Sequence, residues 1–245
     1  MRALRILLII AVILGGLFAI VDRVAVHFAE GKVADKLKTT ENLATAPDVS
    51  INGFPFLTQV AGGELDDVEI GIKDYEAATG NGGEKVRIDD LHADMKGVRF
   101  SGDYSSATAA DATGTALIGY DELLRKAKAD PADVGLGVTA RVIGLSDGGN
   151  GKVKVTLQFT APGGEKLKPV PVLGSLAVRG NSVQVHADGL PQLAGAQLLE
   201  DRFRAVTDLR QGIARLPGDI RLAQVRATKD GVEITAKGSD VRLAG

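Results

Sequence analysis

Apolar and polar residues alternate along most of the chain, the two-residue period of strands that bury one face. The clearest case is Lys152 to Phe159, where Val153, Val155, Leu157 and Phe159 share one face and Lys152, Lys154, Thr156 and Gln158 the other. Val68, Ile70 and Ile72 alternate in the same way with Glu69, Gly71 and Lys73. Upstream, Val49 and Ile51 alternate with Ser50 and Asn52 until Gly53 interrupts and the apolar phase moves to Phe54 and Phe56, as a bulge would produce. With Gly62-Gly63 as the turn, Val49 to Ile72 is predicted to form the first hairpin of a curved sheet.

Further strands follow from the same period. Val86 to Phe100 puts Leu91, Ala93 and Met95 opposite Asp90, His92 and Asp94, with Gly97 a bend before Val98 and Phe100. Shorter strands are predicted at about Ala112 to Ile118, at Val138 to Val142 and at Val183 to Ala187. Leu167 to Val178 contains Pro169 and Pro171, which suit an edge strand or an extended apolar rim. The chain closes on a hairpin, Ile220 to Thr228 and Val232 to Ala236, about the turn Lys229-Asp230-Gly231. Its incoming strand shifts its apolar set from Ile220 and Leu222 to Val225 and Ala227, which predicts a second bulge.

Three segments carry the helical period instead. Asp22 to Lys38 places Val24, Ala25, Phe28, Val33 and Leu37 on one stripe. Tyr120 to Ala129 reads as a short helix stopped before Pro131. From about Pro191 to Arg215, Leu199, Phe203, Val206, Leu209 and Ile213 predict a longer helix with one buried stripe. Asp74 to Lys85 and Ser146 to Gly151 read as a loop and a turn, and no biased linker divides the chain, so residues 22–245 are expected to form a single domain.

Before that domain, Arg2 and Arg5 precede an unbroken apolar run from Ile6 to Val21. The run exceeds a signal-peptide core of about 7 to 15 residues and falls just short of a full span of about 17 to 25. Only a poor cleavage tripeptide, Leu17-Phe18-Ala19, is present, which favours an uncleaved signal anchor over residues 1–21. The basic N-terminus would then lie on the inner side of the cell membrane and the domain outside the cytoplasm, secreted if the segment were cleaved.

Composition narrows the function classes. A formal charge of −2 over 245 residues gives no electrostatic case for nucleic acid. The absence of cysteine excludes disulfides and thiolate metal sites. Glycine, at 31 residues, is abundant enough for a sheet of many bends.

Candidate chemistry is thin. Gly144-Leu145-Ser146-Asp147-Gly148 matches the nucleophile-elbow spacing, but that device needs a strand, a strained turn and a helix. Here Gly149-Asn150-Gly151 and another strand follow, so Ser146 is expected in a plain turn and a serine hydrolase is a remote reading. Asp90, His92 and Asp94 share a strand face but stand about 7 Å apart per step, wide for one metal ion. A solvated face is expected there, and His27 and His186 belong to separate elements. The glycine runs at 80–83 and 148–151 open no helix and cradle no phosphate. Asp66-Asp67 and Asp89-Asp90 are adjacent and so point to opposite faces. No catalytic residue, metal or cofactor is expected.

What remains is apolar surface. A curved antiparallel sheet wrapped around helices closes over a core or encloses an elongated ligand cavity, and the pattern alone leaves both open. The anchor with its following helix, the segment INGFPFLTQVAGGELDDVEI and the ending LPGDIRLAQVRATKDGVEITAKGSDVRL together resemble the LmeA-like phospholipid-binding proteins of actinobacterial envelopes. The resemblance runs from the anchor to Leu243 and rests on Phe, Pro, Gly and alternating apolar positions rather than on invariant chemistry. It implies an α+β fold similar to tubular lipid-binding domains of the bactericidal/permeability-increasing class, with a strongly curved antiparallel sheet around long helices. It also implies a phospholipid or related acyl-chain lipid and a membrane as partners, and a role in lipid transfer or envelope lipid maintenance without catalysis. Phe54, Pro55, Phe56 and Leu57 are carried over as cavity or mouth positions. Val68, Ile70, Phe100, Leu199, Phe203 and Val206, on the apolar strand and helix faces, are expected to line the same interior. The competing reading is a structural envelope module whose interior is filled by side chains.

Overall fold

The computed structural model describes residues 2–78, 85–103, 106–127, 131–180, 182–189, 209–212 and 220–244. The apolar run and the amphipathic stripe after it form one helix, α1 (Arg2–Thr40), because no proline or polar cluster interrupts them. Its large side chains from Leu4 to Val21 are exposed, whereas Asp22 and Val26 are buried against the rest of the protein.

Beyond α1 the chain enters β1 (Asp48–Asn52), α2 (Phe56–Gly62), β2 (Glu64–Ala78), β3 (Lys85–Phe100) and β4 (Ala107–Gly119). It continues through α3 (Tyr120–Ala127), β5 (Ala132–Gly135), β6 (Val138–Gly149), β7 (Lys152–Thr160), β8 (Val170–Arg179) and β9 (Ser182–Ala187). The remaining described strands are β10 (Leu209–Gly212), β11 (Arg221–Ala227) and β12 (Gly231–Ala244). They build two six-stranded antiparallel sheets, ordered β1-β2-β3-β4-β12-β11 and β10-β9-β8-β7-β6-β5. The class is α+β, with strongly curled antiparallel sheet in the manner of a half-barrel. Among the described residues, the helices packed on strands are the second half of α1 and the short α2 and α3.

The alternating segments became strands, and the bend at Gly97 and the shift after Leu222 fall where glycine and phase placed them. Gly97 has φ +57°, and Met95 and Val98 on either side of it are both buried, so β3 bends there and changes which alternate positions face the core while its register with β2 and β4 stays continuous. The register of β11 against β12 shifts between Leu222 and Gln224. Val153, Val155, Leu157 and Phe159 are all buried in β7.

Four expectations are corrected. Phe54 and Phe56 do not continue a strand: β1 stops at Asn52, Gly53 takes φ +98°, and Phe56 opens α2. Pro55 stands at the N-cap, and Gly63, left-handed at φ 75°, caps the other end through its amide to the carbonyls of Gln59 and Val60. Gly62-Gly63 is thus a helix terminus rather than a hairpin turn. Second, β2 runs on to Ala78 and pairs Tyr75 with Ile88 and Ala77 with Val86, through what reads locally as loop. Third, β6 extends to Gly149, leaving Asn150 and Gly151, both at positive φ, as a two-residue turn. Fourth, Leu209–Gly212 is a strand paired with Gln184 and its neighbours, not the end of a helix; the remainder of the helix expected over 191–215 lies outside the described residues. Pro171 lies in an interior strand, yet β8 is staggered. It pairs with β7 over Val170–Gly174 and with β9 only from Gly174 onward, so at Pro171 the side away from β7 needs no amide.

Each sheet has its own apolar cluster. One joins Val26 of α1 to Ile51, Phe56, Leu65, Val68, Met95, Val98 and Ala109. The other is built on Leu157 and Phe159, with Val134, Ala140, Val153, Val155, Val172 and Ala187, and takes in Ala227 from β11. The Ala227 amide donates to the Gly151 carbonyl at 3.3 Å, and the Tyr120 hydroxyl donates to the Thr228 carbonyl at 2.7 Å. The first contact ties the end of the first sheet to the β6–β7 turn of the second, and the other ties α3 to the residue after β11.

Candidate functional site

Cross-strand register carries an apolar face across the whole first sheet. Ile70, Ala93, Gly114, Ala236 and Leu222 form one row, paired strand to strand, and Ile72, Leu91, Ala116, Ile234 and Val225 the next. Because rows two residues apart share a face, Val68, Met95, Ala112 and Gly238 precede them on the same side. The middle of this face is small: Ala93, Ala112, Gly114, Ala116, Ala236 and Gly238. Larger side chains flank it, with Ile70, Ile72 and Leu91 toward β2 and Ile234, Val225 and Leu222 toward β11. Ile70, Ile72, Leu91, Ala93, Ala116, Ile118 and Ile234 are half-buried, unlike the core residues at either end of the sheet. They connect the cluster around Phe56 to the cluster that contains Ala227.

At one end of the face α1 and α2 are locked together. The carboxylate of Asp22, fully buried, accepts the Leu57 amide at 2.8 Å and the Arg23 guanidinium at 2.6 Å. Arg23 also donates to the Gly53 carbonyl at 3.1 Å and lies over the Phe54 ring, 5.4 Å from its centroid. Two turns further along, Glu30 accepts the Ile51 amide at 2.9 Å. On the other side of α2, Gln59 accepts the Asp66 amide at 2.8 Å. These polar anchors hold Ala25, Val26 and Ala29 against Phe56 and its neighbours.

The opposite face of the sheet is polar. His92 pairs with Asp90 at 3.1 Å, while Asp94 groups with Asp67 and Glu69 of β2, their oxygens within 4.8 Å of one another. The three residues Asp90, His92 and Asp94 therefore do not converge on one point. Lys96, Arg221 and Lys237 share an open depression with Asp94 and Asp111, so cations offset the acids there. Ser146 sits within β6 opposite Lys154, with no helix after it, which removes the geometry a nucleophile elbow requires. On the second sheet, Lys152 and Ser175 bond the Asp188 carboxylate at 2.8 and 2.5 Å and hold its pKa below the usual carboxylate range.

The positions expected to line an interior separate into three groups. Phe56, Leu57, Val68, Ile70 and Phe100 meet in one apolar cluster, Phe56 and Val68 buried and the others packed against them. Phe54 stands outside it, 60% exposed, with Pro55 half-buried beside it. Leu199, Phe203 and Val206 lie outside the described residues. Local pattern missed Asp22, Arg23 and Glu30, whose partners lie 21 to 35 residues away. The one available signal was an acid placed directly after a long apolar run.

The fold is a half-barrel of antiparallel strands with an apolar face running across it and a long apolar helix at its edge. A family model described as LmeA-like phospholipid-binding matches residues 20–237, and the chain belongs to that family. No match is found among curated proteins or among solved structures.

Proposed function

We propose that the chain binds phospholipid, or a related envelope lipid, by laying acyl chains along the apolar face of the first sheet, and that it does so without catalysis. The observation that carries this reading is the continuous apolar row from Ile70 and Ile72 to Ile234 and Val225, half-buried up to Ile234 and smallest at its middle, in a member of a phospholipid-binding family. Small residues between larger ones leave room for a chain of methylenes, and each methylene buried contributes about 0.8 kcal/mol. Affinity then needs no charged site, which accords with the apolar make-up of these rows. The tubular lipid-binding organisation, with the curl closing around its ligand, is part of this proposal.

α1 has a segment long and apolar enough to cross a membrane. We read it as the anchor of a domain held outside the cytoplasm, acting in lipid transfer or envelope lipid maintenance. Native mass spectrometry of the full chain extracted from membranes tests the binding reading. Co-purified phospholipid that exchanges with added lipid supports it. A chain that arrives empty and takes up none is a scaffold with a filled interior.

A further inference from the structure

We infer that Phe54 is a membrane contact of the folded domain, seated at the boundary between headgroups and acyl chains of the bilayer that holds α1. The inference rests on reading α1 as membrane-spanning. Phe54 is a large apolar side chain left 60% exposed while its neighbours Phe56 and Leu57 pack into the core. A single exposed phenylalanine is ordinary on a protein surface, so its position has to carry the argument.

That position is fixed by Arg23. The Arg23 guanidinium lies 5.4 Å from the centre of the Phe54 ring and bonds the carbonyl of Gly53. Arg23 follows the last residue of the apolar run, Val21, by two positions, about 3 Å along a helix axis. The ring therefore stands at the level where the hydrocarbon segment of α1 ends. An aromatic ring beside an arginine with an apolar stem and a half-exposed head is the pairing that suits this layer. The domain has no freedom to lift the ring away, because Asp22 is bonded to Leu57 and Glu30 to Ile51 on the same stretch of α1. One consequence deepens the lipid-binding reading: the end of the apolar face at Phe56 and Leu57 is held next to the outer leaflet, so a lipid could enter from the membrane without crossing water.

The chain contains no tryptophan, so Phe54→Trp in the full-length protein gives a single reporter. The protein is reconstituted into phosphatidylcholine/phosphatidylglycerol vesicles whose acyl chains are brominated near the headgroup or near the bilayer centre. Leu14→Trp, in the middle of the apolar run, is measured in parallel. The inference expects the indole at position 54 to emit at short wavelength, to lose most of its emission to the shallow bromines and to resist iodide in the aqueous phase. Quenching of the indole at position 14 by deep bromines, with the one at position 54 open to iodide, overturns the inference and leaves the anchor intact. If the indole at position 14 escapes the bromines, the anchor reading fails and the inference with it. Because the chain also lacks cysteine, a spin label on Phe54→Cys gives an independent check. Greater accessibility to oxygen than to a water-soluble nickel complex agrees with membrane contact, and the reverse order overturns it.

Discussion

The buried carboxylate of Asp22 accepts the Leu57 amide at 2.8 Å across 35 residues of sequence. α2 has only seven residues and Pro55 at its N-cap, with no side-chain cap of its own. An acid from another helix therefore satisfies a donor that the first turn leaves open. Asp22→Ala should expose that amide and loosen α2 from α1. Faster hydrogen exchange at Leu57, with exchange in β7 unchanged, is the expected outcome, and Asp22→Asn should recover part of the protection.

Phe54 and Phe56 are two positions apart yet should respond oppositely to the same change. A carboxylate at Phe56 would be buried among apolar side chains, next to the buried carboxylate of Asp22, a defect that costs about 4 kcal/mol or more. Phe56→Asp should fail to give a cooperative thermal transition. Phe54→Asp, on an exposed side chain, should melt close to the parent protein.

Filling the apolar face should displace lipid and leave the fold in place. Ala93→Phe with Ala116→Phe puts two rings into the part of these rows where the side chains are smallest. Overpacking at half-buried sites costs about 1 to 3 kcal/mol, which a stable domain tolerates. Lipid co-purifying with the double variant should fall to background, with the circular dichroism unchanged. Undiminished lipid in a folded double variant would sink the proposed binding surface.

Tyr120 makes stability depend on alkaline pH. Burial, followed by the carboxylates of Asp147 and Asp230, raises its phenol from 10.0 to about 12. The folded state holds the proton more tightly than the unfolded chain does. Its stabilising effect is therefore complete below pH ~10 and is lost as pH rises toward 12. Denaturant titrations between these limits should show the loss, and Tyr120→Phe should flatten it.

Much of this architecture is legible in two kinds of local signal. Alternation located β3, β7, β11 and β12, because one face of each is buried and the period of two survives in sequence. Glycine located the bend at Gly97, and a phase jump located the shift after Leu222. The errors have an equally local origin. Phe54 and Phe56 alternate as a strand would, and only the pairing of Pro55 before α2 with Gly63 after it marks a helix there. Asp74, at φ 53°, sits in a polar stretch that reads as the end of a strand, but pairing resumes at Tyr75 because β3 supplies the partner. The apolar face was visible strand by strand. Its small centre was not, since Ala93, Gly114 and Ala236 become neighbours only once register is known. The α1 to α2 lock was invisible for the same reason.

The bond from the Ile51 amide to Glu30 has a further consequence for how molecules behave in a crowd. β1 is the first strand of its sheet, paired with β2 on one side, and an open row of amides on the other would template addition of a second polypeptide. α1 occupies that row at Ile51, so the same helix should keep copies of the domain from joining edge to edge. Glu30→Ala should therefore raise concentration-dependent self-association in sedimentation, and a variant that stays monodisperse at every concentration would show that α1 guards the edge without this bond.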